Sequence, residues 1–277
     1  MGRHFGICEW ALPVSGPLAI RLAAEAGYEG IQLGELGGRG NGWPLNHPRV
    51  QAAYREEAER WDLKLHSLNL GALLAEGTMD HPPGSVRGQW ARESLEKGFA
   101  ACRALGEGTV VITVDSKTDA AFENVLAHLA FARELAEESG IEIALESGLP
   151  LGRFLELLDR AGEGFRVCMD ILNPLRFGTG DPREEIRLLG GERIAHFHLK
   201  DSAAVLFRRG QRGCVPLGQG DGGFWETAEH IRALEFSGWL ITENYYYLPP
   251  MNGGGKDFLA LAAADLETMR RVFPSAE

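Results

Sequence analysis

The sequence predicts an α/β fold, a single-domain (β/α)8 TIM barrel spanning residues 1–277. Three observations carry that expectation. A unit of amphipathic helix, glycine, short apolar strand and polar strand end recurs in RLAAEAGYEGIQLGE, ACRALGEGTVVITVD, ELAEESGIEIALE and RALEFSGWLITEN. The strand runs are continuously apolar rather than alternating, as expected when both faces of a parallel sheet are covered. A length of 277 residues also suits one such barrel, which takes roughly 250.

Taken in order, strands are expected near 5–11, 30–35, 63–69, 109–114, 141–146, 165–170, 194–200 and 239–243. Helical patterns separate them, and a last helix near 256–272 follows the eighth strand. Glycine after a helix takes the left-handed cap conformation at little cost, which marks where each helix stops. Strands alternating with helices argue for repeated β-α units rather than a sandwich. A doubly wound open sheet is the competing fold. Its glycine-rich first turn is absent, since the first turn here reads EWALPVSGP with no G-x-G-x-x-G. No linker or composition shift divides the chain.

Three loops exceed the rhythm, all after strands and therefore on the face where barrels place active sites. They are GGRGNGWPLNH, LLAEGTMDHPPGS and DSAAVLFRRGQRGCVPLGQGDGG. The last contains the basic run RRGQR, read either as a solvated arm or as a lid or subunit contact.

Lys plus Arg number 28 against 39 Asp plus Glu, a net charge of −11, which argues against a broad nucleic-acid or anionic-membrane surface. No run of about 18 apolar residues suggests a membrane span, and the N-terminal residues do not read as a secretory signal. Cys8, Cys102, Cys168 and Cys214 are widely separated, so reduced thiols and a cytoplasmic location are expected.

The chemistry concentrates at strand ends. IEIALE, FRVCMD, RIAHFHLKD and WLITE bring Glu146, Asp170, His198 and Glu243 to the ends of strands five to eight. One such acid is as readily a loop's first polar residue or a helix cap. Four ligand-type residues on successive strands are hard to explain as caps. Three carboxylates and an imidazole form a mostly hard donor set, suited to a divalent metal: Mn²⁺ first, with Mg²⁺ or Co²⁺ possible. His196 and His198 share one side of their strand. The residue nearer the C-terminal end reaches the active face, so His198 is the ligand. His196 is expected a layer deeper, packed in the core or orienting a ligand.

Further candidates for contact with substrate are His66 at the end of strand three, Asn173 in DILNP, Lys200 at the exit of strand seven, and Glu9 with Trp10 after strand one. Each has a plainer reading as core, turn or solvated residue. Pro174 disfavours helix at Asn173. Glu35, ending strand two, is a weaker candidate. GGGKDF, residues 253–258, is either a phosphate site at a helix N-terminus or a flexible glycine loop. Nucleophile-elbow and phosphate-loop motifs are absent.

FGICEWALP, ALES, MDILNP, HFHLKD, VPLGQGDGGF and ITEN, in that order, resemble the sugar isomerase/epimerase superfamily with a xylose-isomerase-like TIM barrel. The resemblance spans nearly the whole chain. It is strongest to the pentulose-5-phosphate 3-epimerase branch, with tagatose 3-epimerase and inosose dehydratase among the relatives. It implies metal ligands at Glu146, Asp170, His198 and Glu243, with Glu146 and Glu243 as the acid/base pair. Asn173 stands where the free-ketose epimerases have histidine, and Gly152 where they have a second glutamate, which puts a tagatose-type substrate in doubt.

The implied reaction is proton transfer beside a carbonyl through a cis-enediolate, on a sugar, a sugar phosphate or a cyclitol, in a dimer or tetramer. An inosose-dehydratase-like lyase is the alternative. An endonuclease IV-like hydrolase is more remote, because it requires a histidine-rich metal cluster and a DNA-binding face.

Overall fold

The computed structural model describes residues 2–116, 118–204, 206 and 212–274. Arg208, Arg209, Gly210 and Gln211 of the basic run therefore lie outside the described residues, and Arg212 lies within them.

Among the described residues ten strands are present: β1 (His4–Cys8), β2 (Gly30–Gly34), β3 (Lys64–Asn69), β4 (Thr109–Val114), β5 (Glu142–Ser147), β6 (Phe165–Asp170), β7 (Ile194–Leu199), β8 (Asp201–Ser202), β9 (Cys214–Val215) and β10 (Trp239–Thr242). The order β1-β10-β7-β6-β5-β4-β3-β2 closes a barrel, as the sequence predicted, and β8 with β9 forms a separate two-stranded ribbon. The eight barrel strands fall where the apolar runs placed them. The first is shorter than expected, because the chain turns into a 3-10 helix at Glu9–Ala11.

Among the described residues the α-helices are α1 (Pro17–Glu25), α2 (Pro48–Trp61), α3 (Gly71–Glu76), α4 (Val86–Leu105), α5 (Asp119–Ser139), α6 (Leu151–Ala161), α7 (Asn173–Phe177), α8 (Pro182–Arg193), α9 (Phe224–Ala233) and α10 (Phe258–Val272). Their ends follow local chemistry. Ser85 Oγ accepts the Gly88 N–H and Thr118 Oγ1 the Ala121 N–H, both at 3.1 Å, and so cap α4 and α5. Gly106 and Gly140 end the same two helices in the left-handed conformation.

Helix α7 corrects the expectation drawn from Pro174. Proline stands in its first turn, where an N–H would have no intrahelical acceptor in any case. Asp257 Oδ1 accepts the Leu259 N–H at 2.9 Å at the start of α10. Of the two readings of GGGKDF this favours the loop, since a carboxylate already caps that helix.

The packing groups into two compact units. The first comprises residues 1–32, 57–64 and 168–277, and the second 33–56 and 65–167. In the first unit the fully buried side chains include Ile7, Ile20, Ile31, Phe197, Phe224 and Phe273. In the second, Leu33, Tyr54, Leu68 and Phe122 play that part, with β4 and β5 in register from Thr109 opposite Glu142 to Val114 opposite Ser147. Burying each large side chain contributes about 1.5–3 kcal/mol, so the strands are held mainly by what their two faces cover.

Among the described residues, no helix is long and apolar enough to cross a membrane. None of the four cysteines is in a disulfide, and all four are buried.

Candidate metal centre

In the first unit, β6, β7 and β10 run in parallel; Asp170 ends β6, His198 is the last residue but one of β7, and Glu243 follows β10. All three are buried, and each offers a ligand atom within 4.8 Å of the others. Local bonds aim each one.

Asp170 Oδ1 is taken by the backbone N–H groups of Leu172 and Asn173, at 2.7 and 2.8 Å. That clamp turns Oδ2 toward the Lys200 ammonium at 2.5 Å. Asn173 thus serves the site through its main chain, and the D-x-x-N spacing is that of a carboxylate closing a turn.

Glu243 Oε1 accepts the Trp10 indole N–H at 2.9 Å, while Oε2 meets Lys200 Nζ at 2.5 Å and lies 3.5 Å from His198 Nδ1. Burial alone would raise the Glu243 carboxyl. The positive charge of Lys200 and the bond from His198 outweigh it and hold the group well below the usual carboxylate range.

His198 is oriented by a residue the sequence reading passed over. Its Nε2 lies 2.6 Å from Gln32 Oε1 on β2. An amide oxygen only accepts, so Nε2 carries a hydrogen and donates it, which leaves Nδ1 turned to Glu243. Gln32 Oε1 also accepts from the Cys8 thiol at 3.3 Å. Burial pushes that thiol up to about 12, so it stays protonated and can donate. Gln32 Nε2 lies 3.4 Å from His196 Nε2, which fixes the amide's orientation from the other side. The one signal in the sequence was a lone amide inside the apolar run GIQLG. His196 is fully buried one layer deeper, as expected, with its ring 5.5 Å from that of His198. Cys168, His196 and His198 form a second, softer set of ligand atoms in the same interior.

The donor chemistry fits a divalent cation. Two carboxylate oxygens and an imidazole nitrogen converge, and a lysine ammonium already sits between Asp170 and Glu243, so the place selects positive charge.

The remaining candidates separate. Trp10 stands edge-on to His198, ring centroids 6.3 Å apart, and touches Glu243, so it belongs to the site. Glu9 is buried, and its Oε1 accepts the Gly16 N–H at 2.6 Å, anchoring the loop after β1.

In the second unit, Glu146, the last residue but one of β5, has only 7% of its surface exposed, and its Oε2 accepts the Thr113 hydroxyl at 3.1 Å. His66 on β3 is buried, with Nδ1 2.8 Å from Ser67 Oγ. Glu35 Oε2 accepts the Ala72 N–H at 2.7 Å, and burial pushes this carboxyl up to about 7.

Asp201, beside Lys200, holds the last long loop. Its carboxylate accepts the N–H groups of Ser202, Gly218, Gly220 and Gly222 at 2.8–3.0 Å. A Cβ on Gly220 or Gly222 would fall 2.4 or 2.7 Å from Asp201 Oδ1, so the glycines of GQGDGG are required by this close approach. Asn244, the residue after Glu243, fastens the same region. It accepts the Asp201 N–H at 3.2 Å and donates to Val215 O and Asp265 Oδ2, at 3.1 and 2.7 Å.

Asp201→Ala leaves four backbone donors without their acceptor. It is expected to cost roughly 2–4 kcal/mol of stability, with the Gly218–Gly222 amides exchanging faster. Unchanged urea unfolding and unchanged amide exchange would rule out the anchoring role.

Known proteins resemble this chain in sequence and in fold. A profile described as xylose isomerase-like TIM barrel matches residues 20–270. The chain is 34% identical over 283 residues to a 2-epi-5-epi-valiolone 7-phosphate 2-epimerase of an Actinoplanes species, covering 98% of this chain and 95% of that one. Among solved structures, a D-allulose 3-epimerase from a Methylomonas species in complex with D-allulose superposes with a TM-score of 0.74 at 18% identity, over 98% of each chain. The IOLI protein with a zinc atom superposes with a TM-score of 0.71 at 16% identity, also over 98% of each chain. These two likenesses show the fold. The profile match over most of the chain, with the 34% identity, shows the family: the protein belongs to the xylose isomerase-like TIM barrel family.

Proposed function

We propose that the protein is a divalent-metal-dependent epimerase or isomerase acting on a sugar, a sugar phosphate or a cyclitol ketone. The observation that carries this reading is the convergence of Asp170, Glu243 and His198 Nδ1, oriented by Gln32 and Trp10, around a position that holds positive charge. The epimerase relative at 34% identity supports the reaction class.

Glu146, Asp170, His198 and Glu243 would hold the cation. Glu146 is the fourth ligand on the strand-end pattern and the family resemblance, and it is buried. When bound, the cation supplies charge that polarises a carbonyl oxygen and favours loss of the neighbouring proton. Mn²⁺ suits the oxygen-rich set best, with Mg²⁺ or Co²⁺ as substitutes.

Glu146 and Glu243 form the acid/base pair, one removing a proton beside the carbonyl and the other returning it to the cis-enediolate. Transfer on opposite faces gives epimerisation, and transfer between adjacent carbons gives isomerisation. Glu243 is suited to accept a proton when Lys200 moves off its Oε2. Lys200, His66, Asn173 and Trp10 face or flank the substrate, and Glu9 shapes that wall through its loop. Cytoplasmic location is inferred from four cysteines that form no disulfide, and a homo-oligomer from the family resemblance.

A Mn²⁺-supplemented screen of free and phosphorylated ketoses, with a cyclitol ketone included, tests the reading by product analysis. Epimer or isomer formation is expected, abolished by a chelator and restored by metal. Dehydrated product alone would replace the reading with the lyase. No metal-dependent turnover of any of them would overturn it.

A further inference from the structure

Two neighbouring strands each carry a pair of ligand-type residues two positions apart: Cys168 and Asp170 on β6, His196 and His198 on β7. Side chains two apart on a strand share a face, so each strand presents one such group near its C-terminal end and another one layer down. Asp170 and His198 belong to the centre described above. Cys168 and His196 lie beneath them, 2% and 0% exposed, and that centre uses neither as a ligand.

The lower groups converge with His198. Cys168, His196 and His198 each offer a ligand atom, and the three atoms lie within 4.8 Å of one another. Cys8 Sγ, 3.9 Å from His198 Nε2, stands beside the set as a further soft donor. A tetrahedral ion with bonds of about 2.0–2.3 Å holds its donors roughly 3.3–3.6 Å apart. Drawing the three atoms onto one ion therefore takes a contraction of at most about 1.5 Å. One thiolate with two imidazoles is a softer set than Asp170 and Glu243 with an imidazole, and it selects a different class of ion.

His198 belongs to both sets, and it cannot serve both. A neutral imidazole has one lone pair and one N–H, so it binds one cation at a time. While Gln32 Oε1 accepts from Nε2, Nδ1 is the binding nitrogen and stands on the Glu243 side. An ion held by Cys168 and His196 either takes that same lone pair, or takes Nε2 and sends the hydrogen to Nδ1, which breaks the Gln32 bond. Either way the Asp170–Glu243 side loses its imidazole.

We infer that Cys168, His196 and His198 form a second metal site, for a thiophilic ion such as Zn²⁺ or Cd²⁺, whose occupation takes His198 away from the catalytic centre. Coordination breaks the S–H bond of Cys168 and forms a bond from Sγ to the ion, the proton passing to solvent. Thiophilic ions thereby silence the enzyme, whereas Mn²⁺ and Mg²⁺, which prefer oxygen donors, load the upper centre. Binding at the lower site stands apart from the epimerase reading; only the silencing of turnover rests on it.

Cd²⁺ is the probe, and the readouts are spectroscopic. Titrated into chelator-treated wild type, it should produce a thiolate-to-cadmium charge-transfer band in the ultraviolet. Cys168→Ser should lack the band, and His196→Gln should need at least 10–100-fold more Cd²⁺ to reach it, the loss usual even for groups that only orient a ligand. The control Cys102→Ser should leave it unchanged. In Mn²⁺-loaded wild type, Cd²⁺ should release Mn²⁺, read from the paramagnetic resonance of the freed ion. In Cys168→Ser that release should need at least 10–100-fold more Cd²⁺. The two wild-type titrations depend on no variant folding. Absence of the band in wild type, or an equal band in Cys168→Ser, overturns the site. Growth of the band while Mn²⁺ stays bound overturns the exclusion. A Cys168-dependent band with Mn²⁺ release, but no Mn²⁺-dependent epimerisation of any substrate screened, overturns the reaction assignment and upholds this site.

Discussion

Replacing Glu146 or Glu243 by glutamine is expected to abolish turnover while the protein stays folded. Glutamine keeps the shape and an oxygen of each side chain, so the Thr113 hydroxyl still finds an acceptor at position 146 and the Trp10 indole at position 243. What disappears is the ability to take a proton. A positioned acid or base contributes about 10²–10⁴-fold, and each variant should lose at least that much in kcat.

The two substitutions differ in one respect. At position 243 the change also leaves the buried Lys200 ammonium with Asp170 as its remaining carboxylate partner, so Glu243→Gln should unfold at lower denaturant than Glu146→Gln. Single-turnover assays, with urea unfolding of the same samples, separate loss of chemistry from loss of fold. Near-normal activity in both variants would sink the two-base scheme.

The second large effect falls on a residue that touches neither substrate nor cation. Gln32→Leu should weaken Mn²⁺ or Co²⁺ binding roughly 10–100-fold, the usual consequence of removing a group that orients a ligating histidine. Leucine fills the volume but accepts nothing, so His198 is no longer held with Nε2 donating and Nδ1 turned to Glu243. Gln32→Glu keeps an acceptor at the same atom and should retain most of the affinity. The Co²⁺ absorption spectrum and its titration midpoint report this without any assay of activity. An unchanged dissociation constant in Gln32→Leu would show that packing alone orients His198.

The sequence displayed the barrel clearly because each strand is buried on both faces, which leaves unbroken apolar runs between helices. Runs such as TVVITV at β4 and IAHFHL at β7 admit little else. The candidate ligands were visible for the same reason: an acid or imidazole that finishes such a run stands out against it. Asn173 and Pro174 misled, since the rule that proline disfavours a helical predecessor yields at the first turn of a helix. Sequence alone does not tell Lys200 apart from its neighbour Asp201, which read equally well as substrate contacts or as a solvated pair. The structure gives them opposite duties, the lysine between two carboxylates and the aspartate inside a ring of glycine N–H groups.

From the amino-acid order alone came the fold class, the succession of eight strands and the identities of the residues that end them, because these depend on patterns a few residues long. Only the tertiary structure decided which atoms meet. Gln32 and His198 are separated by 166 positions, Trp10 and Glu243 by 233, and no local pattern encodes a bond between them. Such partners are chosen by where closure of the sheet leaves two polar atoms together in an apolar interior, where leaving either unpaired would cost more than pairing them.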